Sequence, residues 1–217
     1  MCCDYWRKLW TRGGIAKLFK DEIQVISISR TKRKEVAGIK YFYGSVADEN
    51  FLKNVYKELS KEYNIKYLIN NADVGRFGPP KENNRKKIDT VLEGVLIGTI
   101  LNTTYALPLM EEKGGKIVNI MSTAALKGNP NETLYCASKW GARGFTESLK
   151  AYFKGTNIKV MGVFPGGINT PFWNKNRDCW TKDVTDKFMD VDKLAKTVYN
   201  AIVSDGVAVS DITIDRI

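Results

Sequence analysis

The sequence of 217 residues contains no histidine. That excludes Ser-His-Asp and Cys-His nucleophile systems, and every metal site built on imidazole. Acid and base work near neutral pH then falls to Tyr, Lys, Cys, Asp or Glu with displaced pKa values. Cysteine is scarce, at Cys2, Cys3, Cys136 and Cys179. Adjacent Cys2 and Cys3 do not readily pair with each other. Four scattered thiols make neither a disulfide framework nor a Cys-x-x-Cys zinc pattern, so a reducing, cytoplasmic setting is expected. No run approaches the ~18 apolar residues of a membrane span. Asp4, Arg7 and Lys8 interrupt the segment where a signal peptide needs its apolar core. No membrane partner is expected.

What is present suits one globular domain over residues 1–217, with 43% hydrophobic and 27% charged residues. Lys and Arg number 34 against 24 Asp and Glu, leaving +10. Such an excess suits nucleic acid, an acidic membrane surface, a phosphorylated ligand, or simply a solvated surface. No nucleic-acid recognition motif or aromatic platform accompanies it, so no nucleic-acid partner is expected.

Short β-rich apolar runs alternate with helical periodicity. Strands are expected at Ile23–Ser29, Ile39–Tyr43, Tyr67–Asn70, Lys116–Met121, Asn157–Phe164 and Ala208–Ile214. Helices are expected at Asp48–Tyr63, with Asp48 as N-cap, and at Asn83–Glu112, Leu134–Phe153 and Val191–Val203. This alternation predicts an α/β fold: a doubly wound parallel sheet, a Rossmann-like three-layer sandwich. Ligands of such sheets sit beyond the carboxyl ends of the strands. The informative residues are therefore those that follow Ser29, Asn70, Met121 and Phe164.

Tyr135 and Lys139 are four apart on an expected helix, hence on one face. A free phenol titrates near pH ~10, and a neighbouring ammonium would lower that value. The pair is a usable acid/base without histidine, although a surface helix pair has the same spacing. Ser122 closes the strand before it and brings a hydroxyl to the strand's carboxyl end. Pro165-Gly166-Gly167 ends the next strand and permits close backbone approach to a ligand. Thr170 follows with a hydroxyl suited to a carboxamide or phosphate, or to capping a helix. Cys136, beside Tyr135, reads as packing rather than as a nucleophile.

These segments resemble the short-chain dehydrogenase/reductase family. The matching pieces are LINNA at Leu68–Ala72, GKIVNIMS at Gly115–Ser122, Tyr135-x-x-x-Lys139, and FPGGINTPF at Phe164–Phe172, in order from about Ile15 onward. The resemblance implies an NAD(P)-dependent oxidoreductase that interconverts a carbonyl and a secondary alcohol. It implies Tyr135 as the general acid/base, Lys139 as the group that lowers its pKa and binds the cofactor ribose, and Ser122 as the group that polarises the carbonyl. It assigns Asn70 and Ala72 to the adenosine side, Ile168 and Thr170 to the nicotinamide carboxamide, and Pro165 and Gly166, with Tyr135 and Lys139, to cofactor binding. Arg30 follows the first expected strand where an acidic residue would select NAD. Arginine there accommodates a 2′-phosphate, so NADP is expected in preference to NAD. The neighbouring Lys32 to Lys34 also read as a solvated charge run.

Three departures qualify the resemblance. The family's opening strand and glycine-rich turn are missing or replaced: residues 1–11 stand in their place, and only Gly13 and Gly14 remain to offer amides to a phosphate. Either Cys2–Trp10 substitutes as a poor strand or the chain begins late. The family's Asn-Asn-Ala-Gly ends here in Asp73, whose carboxylate near adenosine and phosphates would disfavour an anionic cofactor. Val95 stands where the family carries an Asn that supports a water relay; Asn102 lies two helical turns away, about 10 Å along the axis. A second reading is therefore a non-catalytic or impaired relative with weak cofactor binding. On the substrate side, Phe172, Trp173, Trp180, Phe188 and Met189 suit an apolar carbonyl or alcohol, or simply pack their loop. By analogy with related folds, a homodimer or homotetramer would form through the helices at Asn83–Glu112 and Leu134–Phe153.

Overall fold

The computed structural model describes residues 14–32, 35–175 and 180–216. Six strands carry the fold: β1 (Val25–Ser29), β2 (Ile39–Tyr43), β3 (Tyr67–Asn70), β4 (Gly115–Ile120), β5 (Ile158–Pro165) and β6 (Asp211–Ile214). All pairings are parallel, and they form two sheets, β1-β2 and β3-β4-β5-β6. Among the described residues no strand joins β1 to β3. The segment Cys2–Trp10, one candidate for that place, lies outside them, as does Gly13.

Helices cover both faces. On one face, α2 (Glu49–Leu59) buries Leu52, Val55, Tyr56 and Leu59 against Ile26, Ile28, Leu68 and Ile117 of the strands. On the other, α1 (Ile15–Phe19) and the late helix at Val191–Val203 pack on Val25, Ile69, Val118 and Met161. Each core draws residues from both sheets, which holds them together as one doubly wound unit. Neighbours such as Leu68 and Ile69 face opposite cores, so the strands read as continuous apolar runs rather than alternating ones. Aspartates cap the covering helices: Asp48 accepts from the Phe51 amide at 3.0 Å, and Asp190 from Asp192 and Lys193 at 3.0 Å each.

The expected helix at Asn83–Glu112 is not regular. It comprises α3 (Arg85–Leu92), a π-turn at Glu93–Ile97, α4 (Gly98–Ala106) and a 3₁₀ turn at Leu107–Leu109 that contains Pro108. The Gly98 amide reaches back five residues to the Glu93 carbonyl. Glycine is required at two points of this stretch, because a Cβ would lie 2.5 Å from Val74 at Gly94 and 2.5 Å from Val46 at Gly98. By length and composition alone, Arg85–Leu109 is also apolar enough to cross a membrane, which corrects the expectation that no run comes close. One face of it enters the core, where Val91, Val95, Asn102, Thr103 and Ala106 are buried. The remaining elements are α5 (Thr133–Tyr152), α6 (Lys182–Thr185) and α7 (Val191–Val203). β2 and β3 have the expected bounds, and the ends of the other four strands differ by one to three residues, β1 starting at Val25 and β6 at Asp211.

Ile117 is fully buried at the centre of β4, between two paired strands. Ile117→Ala is expected to lower the unfolding free energy by about 2–5 kcal/mol, through lost burial and a retained cavity. Denaturant unfolding monitored by circular dichroism measures it.

Candidate active site

The carboxyl ends of β3 and β4 bring four side chains together. The loop after β3 carries Asp73, β4 leads into Ser122, and the first two turns of α5 carry Tyr135 and Lys139. The Tyr135 hydroxyl donates to Asp73 Oδ2 at 2.8 Å, and Lys139 Nζ lies 3.1 Å from the same oxygen. Lys139 Nζ also donates to the Ile120 carbonyl at the end of β4, at 3.3 Å. Both side chains of the ion pair are 1% exposed. The Ser122 hydroxyl accepts from the Ala124 amide at 3.1 Å and stands beside the phenol.

Tyr135 and Lys139 do lie on one face of α5, with Nζ 5.4 Å from the ring centroid. The link between them is Asp73. This reverses one expectation, since the phenol is held well above the ordinary tyrosine value rather than below it. Burial is the first cause and the Asp73 carboxylate the second, with the Glu132 charge adding to both and Ser122 opposing. Burial lowers the Lys139 ammonium, and Asp73 opposes that shift. Asp73 also lines the cleft beside the strand ends, yet it answers the Lys139 charge and does not stand as a bare anion.

Aromatic rings close over the phenol. Phe77 lies 5.5 Å and Phe172 5.9 Å from the Tyr135 ring, and Trp173 packs on Phe172 at 4.9 Å. Trp180 and Phe188 extend the stack. Glu132, at the N-cap of α5 and buried, accepts from Asn129 at 2.9 Å, and burial raises its carboxyl. Cys136 is buried and its thiol is raised by burial, which matches packing rather than nucleophilic chemistry.

A cleft of about 80 Å³ opens beside this group. It is lined by Ser29 at the end of β1 and Arg30 after it, Ser45 and Val46 after β2, Ala72 and Asp73 after β3, and Glu93 and Gly94 of the π-turn. Arg30 and Ala72, which the sequence assigns to the adenosine end, both line this cleft. Ser45, Val46 and Glu93 went unread, because a loop after an edge strand and a helix interior carry no motif of their own.

Several assigned residues make contacts within this chain. Asn70 donates to Thr103 at 3.0 Å and to Asn119 at 2.8 Å, and so ties β3 to α4 and β4. Its neighbour Asn71, absent from the sequence assignment, is buried with neither amide atom partnered among the described residues. Gly14 heads a helix of only five residues. The bend at Pro165-Gly166-Gly167 does admit close approach, but by this chain: a Cβ at Gly166 would meet Asp215 at 2.4 Å, and one at Gly167 would meet Phe188 at 2.7 Å. The Gly166 amide donates to Ile214 at 2.8 Å. Ile168 is fully buried and its carbonyl accepts from Trp173 Nε1 at 2.8 Å. Thr170 is buried with its hydroxyl unpartnered among the described residues, so it caps no helix. Val95 is buried inside the π-turn, and Asn102 accepts from Tyr56 at 3.0 Å, away from Tyr135.

A model of the family described as short chain dehydrogenase matches residues 16–180. The chain belongs to the short-chain dehydrogenase family. It is 33% identical over 153 residues to a sepiapterin reductase of Chlorobaculum tepidum, covering 70% of this chain and 63% of that one. It is 32% identical over 177 residues to carbonyl reductase family member 4 of Xenopus tropicalis, covering 80% and 75%. The chain thus spans less than two thirds of the reductase from Chlorobaculum. In fold it is similar to a short-chain dehydrogenase/reductase from Vibrio parahaemolyticus, with TM-score 0.83, 24% identity and 100% of each chain covered. It is also similar to ElxO with NADP bound, with TM-score 0.79, 24% identity, and 92% and 90% covered.

The ultraviolet titration of this short-chain dehydrogenase is expected to show the sign of the Tyr135 shift. Phenolate absorbance lost in Tyr135→Phe should belong to the highest-pH part of the curve, well above ~10. A Tyr135 contribution at or below that value would contradict the burial and charge argument.

Proposed function

We propose that the protein is an NADP-dependent oxidoreductase that interconverts a carbonyl and a secondary alcohol. The observation that carries the reading is the buried group of Tyr135, Lys139 and Ser122 at the carboxyl ends of β3 and β4. Such a group moves a proton at a substrate oxygen without histidine.

The residues present fit a dinucleotide at the adenosine end. The cleft offers Arg30 and Ser45 beside the strand ends, and Arg30 suits a 2′-phosphate. The unpartnered Asn71 amide and Thr170 hydroxyl are buried polar groups whose cost a ligand would relieve. When bound, the cofactor supplies or accepts the hydride. Tyr135 Oη would give the proton to the carbonyl oxygen in reduction, or take it from the alcohol in oxidation. Ser122 Oγ would donate to that same oxygen and hold it against the phenol. Lys139 Nζ would keep a positive charge beside both. Phe77, Phe172 and Trp173 would exclude water and receive an apolar substituent of the substrate.

A second reading, an impaired relative that binds cofactor weakly, draws on Asp73 and the glycine bend. Asp73 takes up hydrogen-bonding capacity of both Tyr135 and Lys139, and Asp215 and Phe188 fill the space at Gly166 and Gly167. The family relationship and the exposed Ile97 and Trp140 on the helices named above also support self-association through that face.

Quenching of tryptophan fluorescence by NADPH and NADH tests the reading. Saturable binding is expected, tighter for NADPH, and Arg30→Ala should weaken NADPH by about 10-fold or more while leaving NADH nearly unchanged. Given binding, Tyr135→Phe should abolish carbonyl reduction. No saturable binding of either nucleotide would contradict the reading.

A further inference from the structure

Most polar side chains of the cleft at the carboxyl ends of β1 to β3 are engaged within this chain. Ser29 Oγ donates to the Thr31 carbonyl at 3.3 Å. Ser45 Oγ accepts from the Ala47 amide at 3.2 Å, and Thr90 Oγ1 donates to the Lys86 carbonyl at 2.7 Å. Asp73 answers Tyr135 and Lys139. Glu93 differs. It is exposed on the cleft wall, and its carboxylate has no hydrogen bond or ion pair among the described residues. Arg85, two turns back, feels its charge but is forked on Asp89 at 2.7 and 2.8 Å. Thr90, Glu93 and Gly94 share one helix face, and a Cβ at Gly94 would lie 2.5 Å from Val74. That close packing sets the start of the π-turn, and Glu93 with it, against the loop after β3.

We propose that Glu93 is a specificity-determining residue for the adenine base, its carboxylate accepting a hydrogen bond from the exocyclic amine while Arg30 takes the 2′-phosphate. The inference rests on the dehydrogenase reading above and adds to it a residue that reads the base. Arg30 and Glu93 give the cleft walls opposite charges. A carboxylate repels phosphate and draws donors, and when ionised it accepts hydrogen bonds only. The donors on the adenosine half of the dinucleotide are the adenine amine and the ribose hydroxyls. In NADP the 2′-oxygen is phosphorylated, and that phosphate favours the Arg30 wall over the Glu93 wall. The neutral, donor-bearing base then suits the Glu93 wall. A base with an oxygen in place of the amine would set two acceptors face to face with no hydrogen between them, and the site should reject it.

Calorimetric titration without substrate tests this, with the wild type, Glu93→Ala and Glu93→Gln. The ligands are NADPH and its deaminated analogue, in which hypoxanthine replaces adenine. The wild type is expected to bind NADPH about 10-fold or more tightly than the analogue, since a charge-assisted hydrogen bond is lost. Glu93→Ala should weaken NADPH by about 10-fold and bring the two ligands to within about threefold of each other. Glu93→Gln should also lose the discrimination, because an amide can accept from the amine or donate to the oxygen. Both substitutions are at an exposed helix position and should leave the circular dichroism unchanged. A wild type that binds the two ligands equally overturns the proposal. So does a Glu93→Ala that weakens both equally, which would assign the carboxylate to a ribose hydroxyl. A Glu93→Ala that binds NADPH as tightly as the wild type, or more tightly, overturns it as well and makes Glu93 a bystander or a repulsive group. The two readings fail separately: a wild type that binds neither ligand fails the dehydrogenase reading and this inference with it, whereas one that binds both equally fails only the reading of the base.

Discussion

A carboxylate removed from water must find partners or lose its charge. The Asp73 carboxylate is such a group, and its solution organises the site: one oxygen serves both the Tyr135 hydroxyl and the Lys139 ammonium. The buried ammonium faces the carboxylate and the Ile120 carbonyl, and the phenol keeps its proton because burial and the carboxylate charge disfavour a phenolate there. Aromatic rings can then close over the phenol without stranding a charge. Polar order therefore begins in the loop after β3 and spreads to α5 and the end of β4.

Much of the frame was legible in the chain. Parallel strands covered on both faces need continuous apolar runs, and Tyr67–Asn70, Lys116–Met121 and Asn157–Phe164 read that way. Asp48 announced a helix because its carboxylate caps free amides. The spacing of Tyr135 and Lys139 placed them on one helix face, and Arg30 fell at the cleft because it follows a strand's carboxyl end. These are local regularities, and local regularities survive in a linear text.

What the chain concealed was long-range or came from competition. Asp73 and Tyr135 are 62 residues apart, and no spacing rule joins them. An aspartate in a loop offers several neighbours, and this one meets the phenol and the ammonium while it also lines the cleft. The Asn70 amide nitrogen points into the strand–helix contact, whereas its Oδ1 and both amide atoms of Asn71 have no partner among the described residues. The glycines at Gly166 and Gly167 do mark a close approach, but a glycine does not specify whether a ligand or a distant Asp215 or Phe188 makes it. The π-turn left no periodic trace because one extra residue in a turn shifts the apolar face without ending it.

The central claim is that Asp73 and Lys139 are energetically one unit. A double-mutant cycle on unfolding free energy, with Asp73→Asn, Lys139→Met and the double variant, tests it most directly. Each single change should cost about 3–5 kcal/mol, because each leaves a buried partner uncompensated. The double change should cost clearly less than the two losses together, as no unpaired charge remains. Simple additivity of the two losses would contradict the account.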